Sequence, residues 1–457
     1  MSKPAVFVTG SIFRHVAVTA ATGSIGLIAV FVVDVLNLFY ISRLGVSELA
    51  AAVGFAGTLM FFTTSLAIGL TIPASAMVAR ALGAGNRIAA AQIGGVALGY
   101  SLGASSILAI ALFPFIEDLL SLLGAKGETL QLATGFMQIV MPSSPVLAVG
   151  MAAAGILRGA GDARRAMHVT LAAAVGAAIF DPLLIYGLEL GLNGAAIATF
   201  LSRTILLAVG LWAVLRIHRL ATFPDRASLI DGAKPFFAIG LPAVLTQVAT
   251  PFGNAFVTSS IAAYGDAAVS GWAIIGRIVP VAFGAIFALS GAVGPIFGQN
   301  FGARAYDRLH ETLRASLIFT TGYVAVVWAL LALFSGQIAA LFAATGDTEA
   351  LIVFFCLFAA GSFLFNGALF VANAAFNNLG FPALSTLFNW GRSTLGTLPF
   401  VWVGSRLYGA EGVIAGWGVG AVAFGLGAMA AAFIVVRRIG SRHNPSLAPE
   451  APPPPPA

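Results

Sequence analysis

Residues 27–40 read LIAVFVVDVLNLFY, an apolar run with a single carboxylate, Asp34, set inside it. An ionised Asp at that depth in hydrocarbon costs several kcal/mol or more, so a chain keeps one there only where it faces protein or water. A second acid, Asp181, has a comparable setting in AAVGAAIFDPLLIYG, residues 173–187. Of the 17 acidic residues, these are the two expected inside a hydrocarbon layer.

The surrounding composition explains why such runs exist. Of 457 residues 59% are hydrophobic and only 9% charged, against about 25% charged in a soluble domain. That excludes a water-facing globular surface and indicates an all-α polytopic membrane protein. Glycine, at 53 residues, exceeds the usual ~7% and suits close helix packing in lipid. The single cysteine, Cys356, lies in an apolar run and leaves no disulfide framework or thiolate metal site. The five histidines lack metal-ligand spacing, so no metal site is expected. The first 15 residues lack a small-residue cleavage pattern, so the first apolar run is expected to stay as a span.

A window of about 20 apolar residues finds twelve spans: 17–40, 52–79, 91–115, 131–156, 166–187, 194–215, 236–262, 268–297, 314–334, 350–376, 383–404 and 412–436. The most polar connector separates the sixth from the seventh. The expected division is an N-terminal lobe over 1–215, a cytoplasmic linker over 216–235, a C-terminal lobe over 236–436, and a basic, proline-rich tail over 437–457. Seventeen of the 23 Lys and Arg fall on the side that holds both termini. Arg43, Lys126 and Arg406 fall on the other, and Arg203, Arg277 and Arg392 inside spans. By the positive-inside rule both termini are cytoplasmic. The net charge of +6 is therefore topology rather than nucleic-acid binding.

The halves repeat. LGAGNRIAAAQ from Leu82 matches FGARAYDRLHE from Phe301, setting Gly83 against Gly302. ILRGAGDARRA matches AFNNLGFPALS, Gly161 against Gly380; LGLNGAAIA matches LYGAEGVIA, Gly194 against Gly412; and Gly45 pairs with Gly265. All four offsets lie between 218 and 220. Six spans per copy is an even number, so both copies lie the same way up. Two six-helix lobes related by a pseudo-twofold axis along the membrane normal follow, with a substrate path at or between them.

These stretches resemble the MATE (multidrug and toxic compound extrusion) transporter family. VARALGAGNRIAAAQ and GQNFGARAYDRL each resemble its glycine-rich loop after the second span of a half. ILRGAGDARRAM followed by FDPLLIYGLELGLNGAAIATFLSR resembles its loop with the fifth and sixth spans. Asp34 matches the intramembrane Asp of its first span. The resemblance covers residues 13–438 and is nearer the proton-coupled DinF-like branch. It implies a twelve-helix exporter that exchanges H⁺ or Na⁺ for amphipathic, often cationic, molecules. The chain departs from the family at Ala177, where Asn is frequent, in lacking proline over residues 5–72, and at Asn366, which stands where sodium-type members carry Asp.

The residues themselves suggest how coupling would work. Asp34 is six residues from Tyr40 and Asp181 six from Gly187, each about 9 Å along a helix. Thr199 and Arg203 share a helix side at i, i+4, and Asn37 lies one turn beyond Asp34. Two acids, one base and polar partners are expected to converge in the outer half of the N-terminal lobe. Either the acids titrate, with Asn37, Tyr40, Thr199 and Arg203 in support, or one pairs statically with Arg203. In the repeat Asp34 aligns with Asn254 and Asp181 with Phe400, which places the titrating groups in one lobe.

The expected function is proton-coupled antiport of organic cations by a monomer in a bacterial plasma membrane, with no cofactor beyond H⁺ and with Na⁺ as the alternative ion. Its rival is a lipid-linked precursor flippase, which wants a basic cavity for phosphate; only three bases fall within spans. Clustered catalytic side chains and a GxxxxGK[ST] loop are lacking, so neither an enzyme nor an ATP-driven pump is expected.

Overall fold

The computed structural model describes residues 5–44 and 47–443. Gly45, Lys3 and the tail beyond His443 lie outside them. Every regular element among the described residues is helical. The membrane crossings are α1 (Ile12–Ser42), α2 (Ser47–Gly83), α3 (Arg87–Leu112), α4 (Gly127–Val140 and Ser144–Gly159), α5 (Ala163–Pro182) and α6 (Gly191–Trp212). A second set follows: α7 (Arg226–Ala262), α8 (Asp266–Ala282 and Gly284–Gly302), α9 (Tyr306–Leu333) and α10 (Asp347–Leu357 and Phe363–Leu379). Next come α11, which begins with Pro382–Ser393, and α12, which ends at His443.

The last two crossings run on as one 60-residue apolar stretch, about 90 Å of helix against a ~30 Å hydrocarbon core. Its middle explains how it fits. A Cβ on Gly404 would fall 2.0 Å from the Gly412 carbonyl oxygen, one on Gly416 2.3 Å from that of Phe400, and one on Gly420 1.6 Å from that of Gly396. Contacts spaced evenly about residue 408 describe an antiparallel hairpin. It turns at Tyr408 and Gly409, whose dihedrals are non-helical. With that hairpin and the 46° bend between the arms of α8, the described residues make the expected twelve crossings.

Breaks within crossings have local causes. Pro142 and Pro145 interrupt α4 at Met141–Ser143, since proline removes a helix donor and crowds the preceding turn. Pro182 ends α5, and the chain continues as a π-helical turn, Leu183–Gly187. The turn after α2 and the turn after α4 share one design. Gly85 (φ 75°) and Gly161 (φ 84°) take the left-handed conformation. Asn86 and Asp162 then cap the next helix by accepting from the N–H of Ala89 and Arg165. Of the segment 216–235 between the lobes, residues 219–225 lack helix and α7 begins at Arg226.

The duplication is visible in the packing. A Cβ on Gly83 would meet the Gln299 carbonyl oxygen at 2.0 Å, and one on Gly302 would meet that of Arg80 at 2.0 Å. Residues 80 and 299 carry the same repeat offset as 83 and 302, so this is one contact made twice across the pseudo-twofold axis. The α2–α7 contact (Gly69 on Val244) and the α1–α8 contact (Gly23 on Ala288) are related in the same way. His310 of α9 packs on Phe433 of α12, and Phe7 is bonded to α8. Both ends of the described chain therefore lie at one end of the bundle, called here the near end.

Candidate functional site

Two groups of polar side chains stand out in the apolar frame, one toward the far end of the N-terminal lobe and one across the near end.

The first contains the acids. Asp34 is exposed, whereas Asp181, in the last turn of α5, is only 1% exposed. The Asn37 amide lies within reach of the Asp181 carboxylate, and the two carboxylates lie within electrostatic reach of each other. Asp181 Oδ2 is buried without a hydrogen-bond partner among the described residues. The contacts of α1 with the other lobe that glycines mark involve Gly23, Ser24 and Ile28. Asp34 lies six residues, about 9 Å, past the last of these. Tyr186 donates its hydroxyl to the Tyr40 carbonyl, and the two rings meet edge to face at 6.2 Å, which fastens the far end of α1 to the turn after Asp181. Among the described residues Thr199 bonds only to its own helix, to the Ala195 carbonyl at 3.0 Å.

Arg203 does not join this group. It is 6% exposed and its Nη1 donates to Ser143 Oγ at 2.8 Å and to the Val140 carbonyl at 3.4 Å. Both acceptors belong to the break in α4, where the Val140 carbonyl also accepts from Ser143 Oγ at 2.7 Å. The base thus mends a broken helix, and among the described residues neither acid has an ion-pair partner. A buried base in the other lobe, Arg392, is likewise 6% exposed. It donates to Thr250 Oγ1 at 3.1 Å, with its Nε buried and unpartnered. Arg277, also placed inside a span, is exposed.

The second group closes the near end and escaped the sequence reading. Phe7, in a 3-10 turn at Val6–Val8, is 2% exposed. Its N–H donates to Gln299 Oε1 at 2.8 Å, and its carbonyl accepts from Asn300 Nδ2 at 3.2 Å and Arg308 Nη2 at 3.0 Å. Gln299 Nε2 donates across to the Gly159 carbonyl at 2.8 Å. Val6 meanwhile packs on Gly161. Arg80 adds two bonds, to the carbonyls of Asn378 (2.8 Å) and Asn377 (3.1 Å), at the end of α10. The one signal in the chain is this pair of adjacent amides, Gln299 and Asn300, just past the end of an apolar run; both are fully buried.

Beside this seam, Asp162 accepts from His218 Nε2 at 2.9 Å and from both the backbone and side chain of Arg165. Burial alone would raise its pKa, but these hydrogen bonds outweigh it and hold the carboxyl below the usual carboxylate range.

Comparison with known proteins agrees with the two-lobe architecture. The MatE family model matches residues 24–183 and 242–403, one segment in each lobe. A FAD transporter of Shewanella oneidensis is 30% identical over 404 residues, covering 85% of this chain and 87% of that protein. The multidrug export protein MepA of Staphylococcus haemolyticus is 26% identical, covering 89% and 90%. Among solved structures, the Vibrio cholerae MATE transporter VcmN in its bent form superposes with a TM-score of 0.88 at 24% identity, covering 94% of this chain and 98% of that one. An outward-facing multidrug resistance MATE transporter superposes at 0.89 and 22%, covering 96% and 99%. At these identities the structural likeness speaks for the fold.

Proposed function

The chain belongs to the MatE family, so it is a multi-pass membrane transporter and not an enzyme, and from that premise we propose that it is a proton-coupled antiporter exporting amphipathic organic cations. The observation that carries the reading is the pair of carboxylates in one lobe, Asp34 exposed and Asp181 buried, with no base paired to either among the described residues. A buried carboxylate that lacks both a counter-ion and a partner for one oxygen is costly as an anion, and a proton removes that charge. Asp34, outside the lobe contact, takes the proton from the far side. Asn37 transmits the change to Asp181 and hence to the packing of α1 on α5. A cationic cargo and a proton then compete for the same negative charge, and that opposition is the differential affinity a ligand needs to shift two states.

In this reading the near end faces the cytoplasm of a bacterial cell, and the monomer opens alternately at the two ends. The test is efflux from proteoliposomes under an imposed proton or sodium gradient. The wild type should respond to the proton gradient, and Asp34→Asn and Asp181→Asn should each abolish that response with insertion intact. Full activity in both variants, or drive by sodium alone, overturns it.

A second reading of the cargo has its own support. The Shewanella relative is named for FAD, an anionic nucleotide, and Arg392 places a cation in the C-terminal lobe whose Nε has no partner. Including FAD beside organic cations in the same assay separates the two.

A further inference from the structure

The outer face of α5 and α6 carries a groove of about 470 Å³ that the transport reading does not use. Its walls are Ala172, Val175, Gly176, Ile179 and Phe180 from α5 and Ile205 from α6, and His168 stands at its head. Val175 and Ile179 are 50% and 57% exposed, so this side of the bundle faces lipid. We propose that the groove holds one acyl chain of an anionic phospholipid, with its headgroup against Arg164 and His168.

Three observations fix the occupant. The first is depth. His168 to Phe180 is about 18 Å along a helix, close to the ~15 Å of one leaflet of the hydrocarbon core, so a chain standing in the groove crosses its own leaflet and stops.

The second is level. Antiparallel α5 and α6 are tied by the Asp162–His218 bond and by Gly176 against Ile205. That register sets Trp212, six residues from His218, level with His168, six residues from Asp162. Trp212 is 60% exposed, as befits an aromatic at the headgroup boundary. The head of the groove therefore lies where a lipid keeps its phosphate.

The third is charge. Arg164 and His168 are exposed one turn apart on α5. Arg164 makes no hydrogen bond or ion pair among the described residues, whereas Arg165 is committed to Asp162. A free guanidinium at headgroup level selects phosphate carrying net negative charge over a zwitterion. The deep end of the groove adjoins Asp181, so the tail would touch the segment that carries the buried carboxylate.

Native mass spectrometry of the purified chain with phosphatidylglycerol or phosphatidylcholine of identical tails tests this. The wild type should retain phosphatidylglycerol in preference, by roughly fivefold for the Arg164 guanidinium. The variant Arg164→Gln/His168→Gln should lose the preference while still binding phosphatidylcholine. Ala172→Trp, which fills the groove, should weaken retention of both lipids. Equal retention of the two lipids by the wild type, which needs no variant to fold, overturns the proposal. So does an unchanged preference in the double variant.

Discussion

Gly83 and Gly302 make the same contact in opposite directions. Each lies against a backbone carbonyl of the other lobe, of Gln299 and Arg80 respectively, at a distance that excludes any Cβ. Because lipid offers helices no hydrophobic reason to associate, such close approach supplies much of what holds the lobes together. Gly83→Ala and Gly302→Ala should each disfavour the closed near end by about 1–3 kcal/mol, the usual cost of forcing an extra methyl into a packed seam. Spin labels placed on the two lobes at the near end should show a longer distance population in both variants, of similar size because the contacts are equivalent.

Arg203 is expected to matter for stability and not for coupling. Arg203→Gln weakens charge-assisted bonds to Ser143 and Val140 and should cost about 2 kcal/mol, visible as a lower thermal midpoint in detergent. The pH midpoint of gradient-driven efflux should stay where the wild type has it. A shifted midpoint would show that the base acts on the acids.

Asp162 makes the near end sensitive to acid. Its folded pKa lies below the unfolded value, so its contribution to stability is complete above about pH 4 and declines as pH falls below that. Asp162→Ala should cost about 1 kcal/mol at neutral pH from the lost helix cap alone, and more from the stranded Arg165 and His218. The gap between variant and wild type should narrow as melting is repeated at falling pH.

Gly85 and Gly161 share a left-handed conformation but not an environment. A Cβ at Gly85 meets nothing, whereas one at Gly161 would lie 2.8 Å from Val6 Cβ. Gly85→Ala should therefore cost about 1 kcal/mol of backbone strain. Gly161→Ala should cost more and also loosen the N-terminal turn, measurable as faster proteolysis ahead of α1.

Much of the architecture was legible in the chain because lipid enforces it. Spans need about 20 apolar residues, and the paired glycines mark seams that recur at one offset. The fate of Arg203 was not legible. It depends on where two prolines break α4 some 60 residues earlier and set the Ser143 hydroxyl and Val140 carbonyl within its reach, which helix-face geometry cannot reveal. The near-end seam was hidden for a different cause: Gln299 and Asn300 sit in a glycine-rich stretch that suggests a loop, yet they end a buried helix. For the acids, spacing gave depth; only the folded chain separates the exposed Asp34 from the buried Asp181.

The turn at Val6–Val8 spans the line along which the lobes would part, holding α8 and α9 through Phe7 and the α4–α5 turn through Val6. If that line opens, this strap must release one shore. Cargo attached ahead of it, such as a purification tag or a fluorescent fusion, would thus hang on the moving joint, whereas the same cargo placed after His443 would not.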